Sequence, residues 1–285
     1  MGPQTRYGFI GLGSIGLPMA QTIARAGLPL TIWARRPEVT VDFPTDVTRA
    51  TTPAELGANS DVVGLCVFDA AAVDDVLFGE DGVVQGLKPG AVILVHSTVA
   101  PEYVQDLDVR LKAMGLRLID APISGGPVTA AEGDLTIMLG GSPEDCEEVD
   151  ALIKVIGANS VRLGTVGAGQ KTKLMNNAIF TAQLGLTNSM LEIADQLGID
   201  RAAALKTVMT SSGQSYALAT FARGGTVDMM ARGAALPALA KDVRILQSLV
   251  GSDPQVISVA VDFVKLMETG LVTGNDEQTA SKGDS

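Results

Sequence analysis

The segment Gly11-Leu12-Gly13-Ser14-Ile15-Gly16 stands between an apolar run, Tyr7–Ile10, and a helical pattern, Ile15–Ala26. Alone, the spacing G-x-G-x-x-G says little. Between a strand and a helix it demands a tight β–α turn in which backbone, not side chain, meets a ligand. Gly11 permits the turn, Gly13 lets a pyrophosphate approach the main chain, and Gly16 lets helix and strand pack closely. The phosphates then face N–H groups that the first helical turn leaves unpaired. The competing reading is a plain strand–helix turn with no ligand.

The rest of the first half fits a sheet built around that turn. Tyr7–Ile10, Leu30–Trp33, Asp61–Val67, Ala91–Val95 and Leu116–Ile119 are short apolar runs bounded by Gly, Pro or polar clusters, and they read as buried strands. Thr52-Pro53-Ala54-Glu55 is a capping box with Pro at the first helical position, and Ser142-Pro143-Glu144-Asp145 is a second helix start. Strands alternating with helices predict an α/β domain, a Rossmann-type doubly wound parallel sheet with helices on both faces. Near Gly164 the pattern changes. Gly169–Leu197 contains no proline and reads as one long helix, with Gly198 as its C-cap. No clear strand follows. The expected division is a dinucleotide-binding domain over 1–166 and an all-helical domain over 167–285. The polar residues 274–285 are expected to lack regular structure.

Composition narrows the partners. The chain has 32 acids against 21 Lys plus Arg, a net charge of −11, the wrong sign for neutralising nucleic-acid phosphates. No apolar run reaches the roughly 18 residues of a membrane span, and the N-terminus carries no secretory pattern. Cys66 and Cys146 are the only cysteines, which suits a reducing cytoplasm and no disulfide framework. His96 is the only histidine, so no metal site is expected, and a lone imidazole at a strand end reads as structural.

After the second strand comes Ala34-Arg35-Arg36-Pro37. An NAD site places an acid here for the ribose 2′-hydroxyl; two guanidinium forks suit the 2′-phosphate of NADP. NADP(H) is therefore the preferred expectation. Glu38, the one nearby acid, keeps NAD(H) open. Val67 and Phe68, at the end of the third run, are counted with the cofactor-binding residues.

Three further stretches carry a resemblance. They are Asp120-Ala121-Pro122-Ile123-Ser124-Gly125-Gly126, then Gly164-x-x-Gly167-x-Gly169-x-x-x-Lys173-x-x-x-Asn177, then Lys241-Asp242. With Gly16-Leu17-Pro18-Met19-Ala20 extending the fingerprint, the chain resembles the β-hydroxyacid dehydrogenases over residues 7–245. That group includes 3-hydroxyisobutyrate dehydrogenase and 6-phosphogluconate dehydrogenase. The resemblance implies a homodimer or homotetramer that interconverts a small β-hydroxy acid and its aldehyde or ketone. It makes Lys173 the proton donor or acceptor, Thr98 a contact on the nicotinamide side, and Lys241 a residue reaching the cofactor or substrate. Lys173 and Asn177 are i and i+4 on one helix face, so Asn177 can hold the lysine or the substrate oxygen. Ser124-Gly125-Gly126 offers a hydroxyl and close backbone N–H groups to a carboxylate. Departures stand at Ala34, Ile15, Tyr216 and Gly233-Ala234-Ala235, so the particular substrate does not carry over. The alternatives are an imine reductase-like enzyme, which usually replaces the lysine, and a catalytically silent dinucleotide-binding module.

Overall fold

Tyr7–Ile10 forms strand β1, all four residues buried, and the chain turns at Gly11 into helix α1 (Gly16–Arg25). Strand β2 (Leu30–Trp33), the short β3 (Thr48–Arg49) and helix α2 (Pro53–Ala58) follow. The Thr52 hydroxyl caps α2 by accepting the Glu55 N–H at 3.1 Å. The Glu55 carboxylate reaches back one residue further than a capping box requires, to the N–H and hydroxyl of Thr51. Next come β4 (Val62–Leu65), α3 (Ala70–Phe78), β5 (Val92–Val95), α4 (Pro101–Lys112) and β6 (Arg117–Asp120). The unit ends with β7 (Ile123–Ser124), α5 (Gly126–Glu132), β8 (Thr136–Gly140), α6 (Pro143–Glu148), α7 (Asp150–Ile156) and β9 (Asn159–Gly164). This computed structural model describes residues 4–232, 235–251 and 254–280.

Among the described residues the sheet has nine strands in the order β3-β2-β1-β4-β5-β6-β8-β7, with β9 on the other edge of β8. The pairs from β3 to β6 are parallel, and β8 runs antiparallel to β6 and β7. Both faces are buried, which is why the strands read as continuous apolar runs rather than alternating ones. Val92 and Leu94 enter one core with Phe9, Ile32 and the α1 residues Met19 and Ile23. Ile93 and Val95, on the opposite face, pack with Leu56, Val73, Leu77, Leu107 and Leu111 from α2, α3 and α4. The fold is thus a doubly wound Rossmann-type domain followed by a helical region.

Helix α8 (Ala168–Gln196) is the long helix expected from Gly169 to Leu197. It stops where Gly198 adopts φ +69° and the Ile199 N–H reaches back to the Ala194 carbonyl at 2.8 Å. The chain divides into two compact units, Met1–Lys173 and Leu174–Ser285. The second unit holds the remainder of α8 with α9 (Arg201–Val208), α10 (Tyr216–Ala222), α11 (Val227–Arg232), α12 (Ala235–Leu249) and α13 (Gln255–Ala280). Its own core is formed by Leu184, Leu191, Leu218, Phe221, Val243, Phe263 and Met267. The expectation of no regular structure over 274–285 is corrected in part: α13 continues to Ala280, and 281–285 lie outside the described residues.

Candidate cofactor and active site

The glycine turn is built as its spacing requires. Gly11 has φ +100°, and a Cβ there would stand 2.2 Å from the Cys66 carbonyl oxygen at the end of β4. A Cβ at Gly16 would stand 1.9 Å from the Gly11 carbonyl oxygen. Gly13 differs: a Cβ there would meet nothing within 4 Å. Its missing side chain leaves open space rather than room for the protein itself. Gly13 and Ser14 are exposed, Ile15 is half-buried, and Leu12 points into the core. The N-terminus of α1 has no side-chain cap and no acid in its first turn. Nothing there competes with a phosphate, so these residues fit a dinucleotide pyrophosphate.

The turn sits at the carboxyl end of β1. In the strand order β3-β2-β1-β4, this is where the connections leave in opposite directions and a crevice opens. Arg35 and Arg36 follow β2, and both are exposed with no ion pair among the described residues. Glu38 is exposed in the 3-10 turn Pro37–Thr40. Phe68, beyond β4, is 61% exposed, and Val67 is half-buried.

A chain of hydrogen bonds, buried except at its first link, runs along the same edge from the residues after β4. The Val67 N–H donates to Ser97 Oγ at 3.0 Å. The Gln170 side chain, in the first turn of α8, donates from Nε2 to the Ser97 carbonyl (2.8 Å) and accepts the Val99 N–H at Oε1 (3.1 Å). The Gln170 N–H donates to Asp120 Oδ2 at 2.8 Å, and the Gly167 N–H to Asp120 Oδ1 at 2.7 Å. Asp120 therefore caps α8 from the end of β6. Burial pushes its carboxyl up to about 6, against the pull of the Gly167 and Gln170 N–H groups. Val67, Thr98 and the helix turn carrying Lys173 are thereby brought to one edge of the first unit. Lys173 is half-buried, whereas Lys171 is exposed.

Ser124 ends β7, paired with Thr136 of β8. Gly125 and Gly126 have φ +145° and +84°, angles that side chains other than glycine avoid, and a Cβ at Gly126 would meet open space. In the second unit, Asn177 is buried and uses both ends of its amide. Its Nδ2 donates to Asp242 Oδ2 at 2.6 Å, and its Oδ1 accepts from Asn176 at 3.1 Å. Lys241 on α12 lies 3.4 Å from Asp242 Oδ1, so Asp242 gathers Asn177 and Lys241 around one carboxylate.

His96 is a core residue. Nδ1 donates to the Ala121 carbonyl at 2.9 Å, the ring stacks on Phe9, and burial lowers its pKa to about 4. Cys66, against the Gly11 turn, is a thiol that burial pushes up to about 12. Among the described residues no group of His, Cys, Asp and Glu could hold a metal, and no helix is long and apolar enough to cross a membrane. Sequence reasoning missed Gln170 and left Asp120 and Asp242 without roles. Their signal was position only, each beside or inside a quoted motif.

Comparison with known proteins agrees with this geometry. Residues 6–167 match the family described as the NAD binding domain of 6-phosphogluconate dehydrogenase. Residues 167–281 match the NAD-binding family of NADP-dependent 3-hydroxyisobutyrate dehydrogenase. The chain is 33% identical to L-threonate dehydrogenase of Cupriavidus necator over 73% of its length and 71% of the relative's. It is 30% identical to mitochondrial 3-hydroxyisobutyrate dehydrogenase of Mus musculus over 78% of its length and 66% of that protein's. In fold it is similar to Mycobacterium tuberculosis 3-hydroxyisobutyrate dehydrogenase, solved with L-serine, at a TM-score of 0.80 and 21% identity, over 93% of this chain and 94% of that one. With fingerprint, fold and relatives in accord, the chain belongs to the β-hydroxyacid dehydrogenase family of NAD(P)-dependent oxidoreductases acting on CH–OH groups.

Proposed function

We propose that this enzyme interconverts a small β-hydroxy acid and its aldehyde or ketone, with NADP(H) preferred over NAD(H) and Lys173 as proton donor and acceptor. The observation that carries the reading is the placement of Lys173. It stands one turn beyond Gln170 on the helix whose start is bonded to the Ser97–Val99 loop, at the sheet edge that holds the glycine fingerprint. The NADP preference rests on Arg35 and Arg36 and on the family description of the C-terminal match.

The dinucleotide, when bound, supplies or takes up the hydride at its nicotinamide. The chain's own groups do the rest. The Gly11–Gly16 turn holds the pyrophosphate, and Thr98 borders the nicotinamide. Ser124 and the backbone of Gly125 and Gly126 hold the substrate carboxylate. Neutral Lys173 Nζ takes the hydroxyl proton during oxidation, and the protonated amine returns it during reduction. Asn177, four residues beyond Lys173 on α8, holds the lysine or the substrate oxygen, and Lys241 contacts the cofactor or substrate. Two widely separated free cysteines suit the cytoplasm as its location.

The row Ile179, Leu186 and Ile193, seven residues apart on α8, is 50–59% exposed, and it supports a homodimer or homotetramer in which a second copy covers that face.

The test is a panel of β-hydroxy acids, and of imines in the reductive direction, assayed with NADP(H) and NAD(H). A hydroxy acid should be turned over. Lys173→Ala should lower kcat by about 10² to 10⁴, the usual contribution of a positioned acid or base, with dinucleotide affinity unchanged. Lys171→Ala should stay active. Turnover of imines alone, or equal loss in both lysine variants, would refute the reading.

A further inference from the structure

Gln170 is fully buried, and its amide is a polar group placed in the interior. Both ends of its side chain are spent on one short loop. Nε2 binds the carbonyl of Ser97 and Oε1 the N–H of Val99, the two residues that flank Thr98. Neither bond belongs to the sheet ladder, and neither closes a helix end. Capping α8 needs only Asp120, which already accepts the Gly167 and Gln170 N–H groups. The Asp120 carboxylate is itself closely housed. A Cβ at Gly140 would stand 2.2 Å from its Oδ1, and one at Gly169 would stand 2.8 Å from its Oδ2 and 2.3 Å from the Met138 carbonyl oxygen. The start of α8 is thus seated tightly on the ends of β6 and β8, and Gln170 extends that seat to the loop after β5.

Helix periodicity adds the second half. Residues i, i+3 and i+7 of a helix form one stripe. Gln170, Lys173 and Asn177 have that spacing on α8. One amide therefore holds the loop carrying Thr98 and begins the stripe carrying Lys173.

We propose that Gln170 is a positioning residue that fixes Thr98 and Lys173 relative to one another, so that the nicotinamide-side loop and the proton-transferring amine keep one geometry. This rests on the role given to Lys173 above. Gln170→Met removes both side-chain bonds at nearly constant length. It should lower kcat by about 10–100-fold, the scale of an ångström misplacement in a positioned site, while the Kd for NADP+ stays within about threefold.

Gln170→Glu supplies a second arm, which also serves if the Met variant does not fold. An ionised glutamate accepts from Val99 but cannot donate to Ser97 O, whereas a protonated one has both a donor and an acceptor. Its kcat relative to the unmodified enzyme should therefore rise as the pH falls. A residue that only supported the fold would lower Tm in both variants and leave this pH-dependent ratio flat. Unchanged kcat in Gln170→Met, or a flat ratio in Gln170→Glu, overturns the proposal. Lys173→Ala, run beside them, separates the two failures. If it retains normal turnover, the lysine assignment itself falls; if it is inactive while both Gln170 variants behave as wild type, only the positioning role falls.

Discussion

Arg35 and His96 show how differently single side chains can be read. Arg35 projects from the end of β2 into solvent, with no ion pair among the described residues. A phosphate on the ribose would give it one. A hydrogen bond to a charged group contributes about 1.5–3 kcal/mol, so Arg35→Ala should raise the Kd for NADP+ roughly tenfold to a hundredfold and leave that for NAD+ nearly unchanged. Titration calorimetry with both dinucleotides checks this, and equal affinities in the unmodified protein would refute the preference. His96 is the opposite case, a side chain whose chemistry is turned inward. Its pKa is held near 4 by burial, whereas an exposed imidazole titrates at about 6.5. Between those values only the unfolded chain binds the proton, so stability is lost as pH falls from about 6.5 to 4, in total on the order of 3 kcal/mol. Asp120 works the other way, because its raised pKa of about 6 lets the folded chain keep a proton that the unfolded chain releases. Comparing variants removes that background. His96→Asn keeps a donor for Ala121 but cannot titrate. Its stability relative to the unmodified protein should rise as the pH drops from 7 to 4, in denaturant melts at each pH. A constant difference would show that His96 does not resist protonation.

The β1–α1 turn makes a prediction at the scale of an element, because its glycines serve two different purposes. Gly16 is spared a Cβ that would lie 1.9 Å from the Gly11 oxygen, whereas Gly13 borders open space. Gly16→Ala should destabilise the protein by about 1–3 kcal/mol, the cost of overpacking a close contact. Gly13→Ala should fold with unchanged Tm and lose dinucleotide affinity at least about tenfold, since the methyl group occupies the path of the pyrophosphate. Thermal melts with and without dinucleotide distinguish the two. The same element explains what was legible in the sequence. Strands β1, β2, β4, β5 and β6 and helix α8 were readable because apolar runs and uninterrupted helical periodicity are local. Strands β3, β7, β8 and β9 were not, β8 although its apolar run Ile137, Met138 and Leu139 is buried. β7 is two residues long, and β9 is exposed over Asn159–Leu163, so its strand character comes from pairing with β8 and not from its own side chains. The site divides in the same way. Gly11, Gly13 and Gly16 announce themselves by spacing, whereas Gln170 matters through Ser97 and Val99, which lie some seventy residues earlier in the chain.

For the molecule as a whole, the row Ile179, Leu186 and Ile193 is the feature with a measurable consequence. Sedimentation should find a dimer or tetramer at micromolar concentration, and Leu186→Glu should shift the mass toward smaller species. A monomeric unmodified protein would remove the proposal. The order of strands bears on something else, the protein's birth on the ribosome. β1 lies in the middle of the sheet, with β2 on one side and β4 on the other. Its pairing with Leu30–Trp33 can form early, but its other edge waits for Val62–Leu65. At roughly 5–20 residues per second of synthesis, that wait lasts several seconds. During it, a strand destined to be buried on both faces offers an unpaired edge to any neighbouring chain. While β1 waits, its open edge is a place where a chaperone has something to protect.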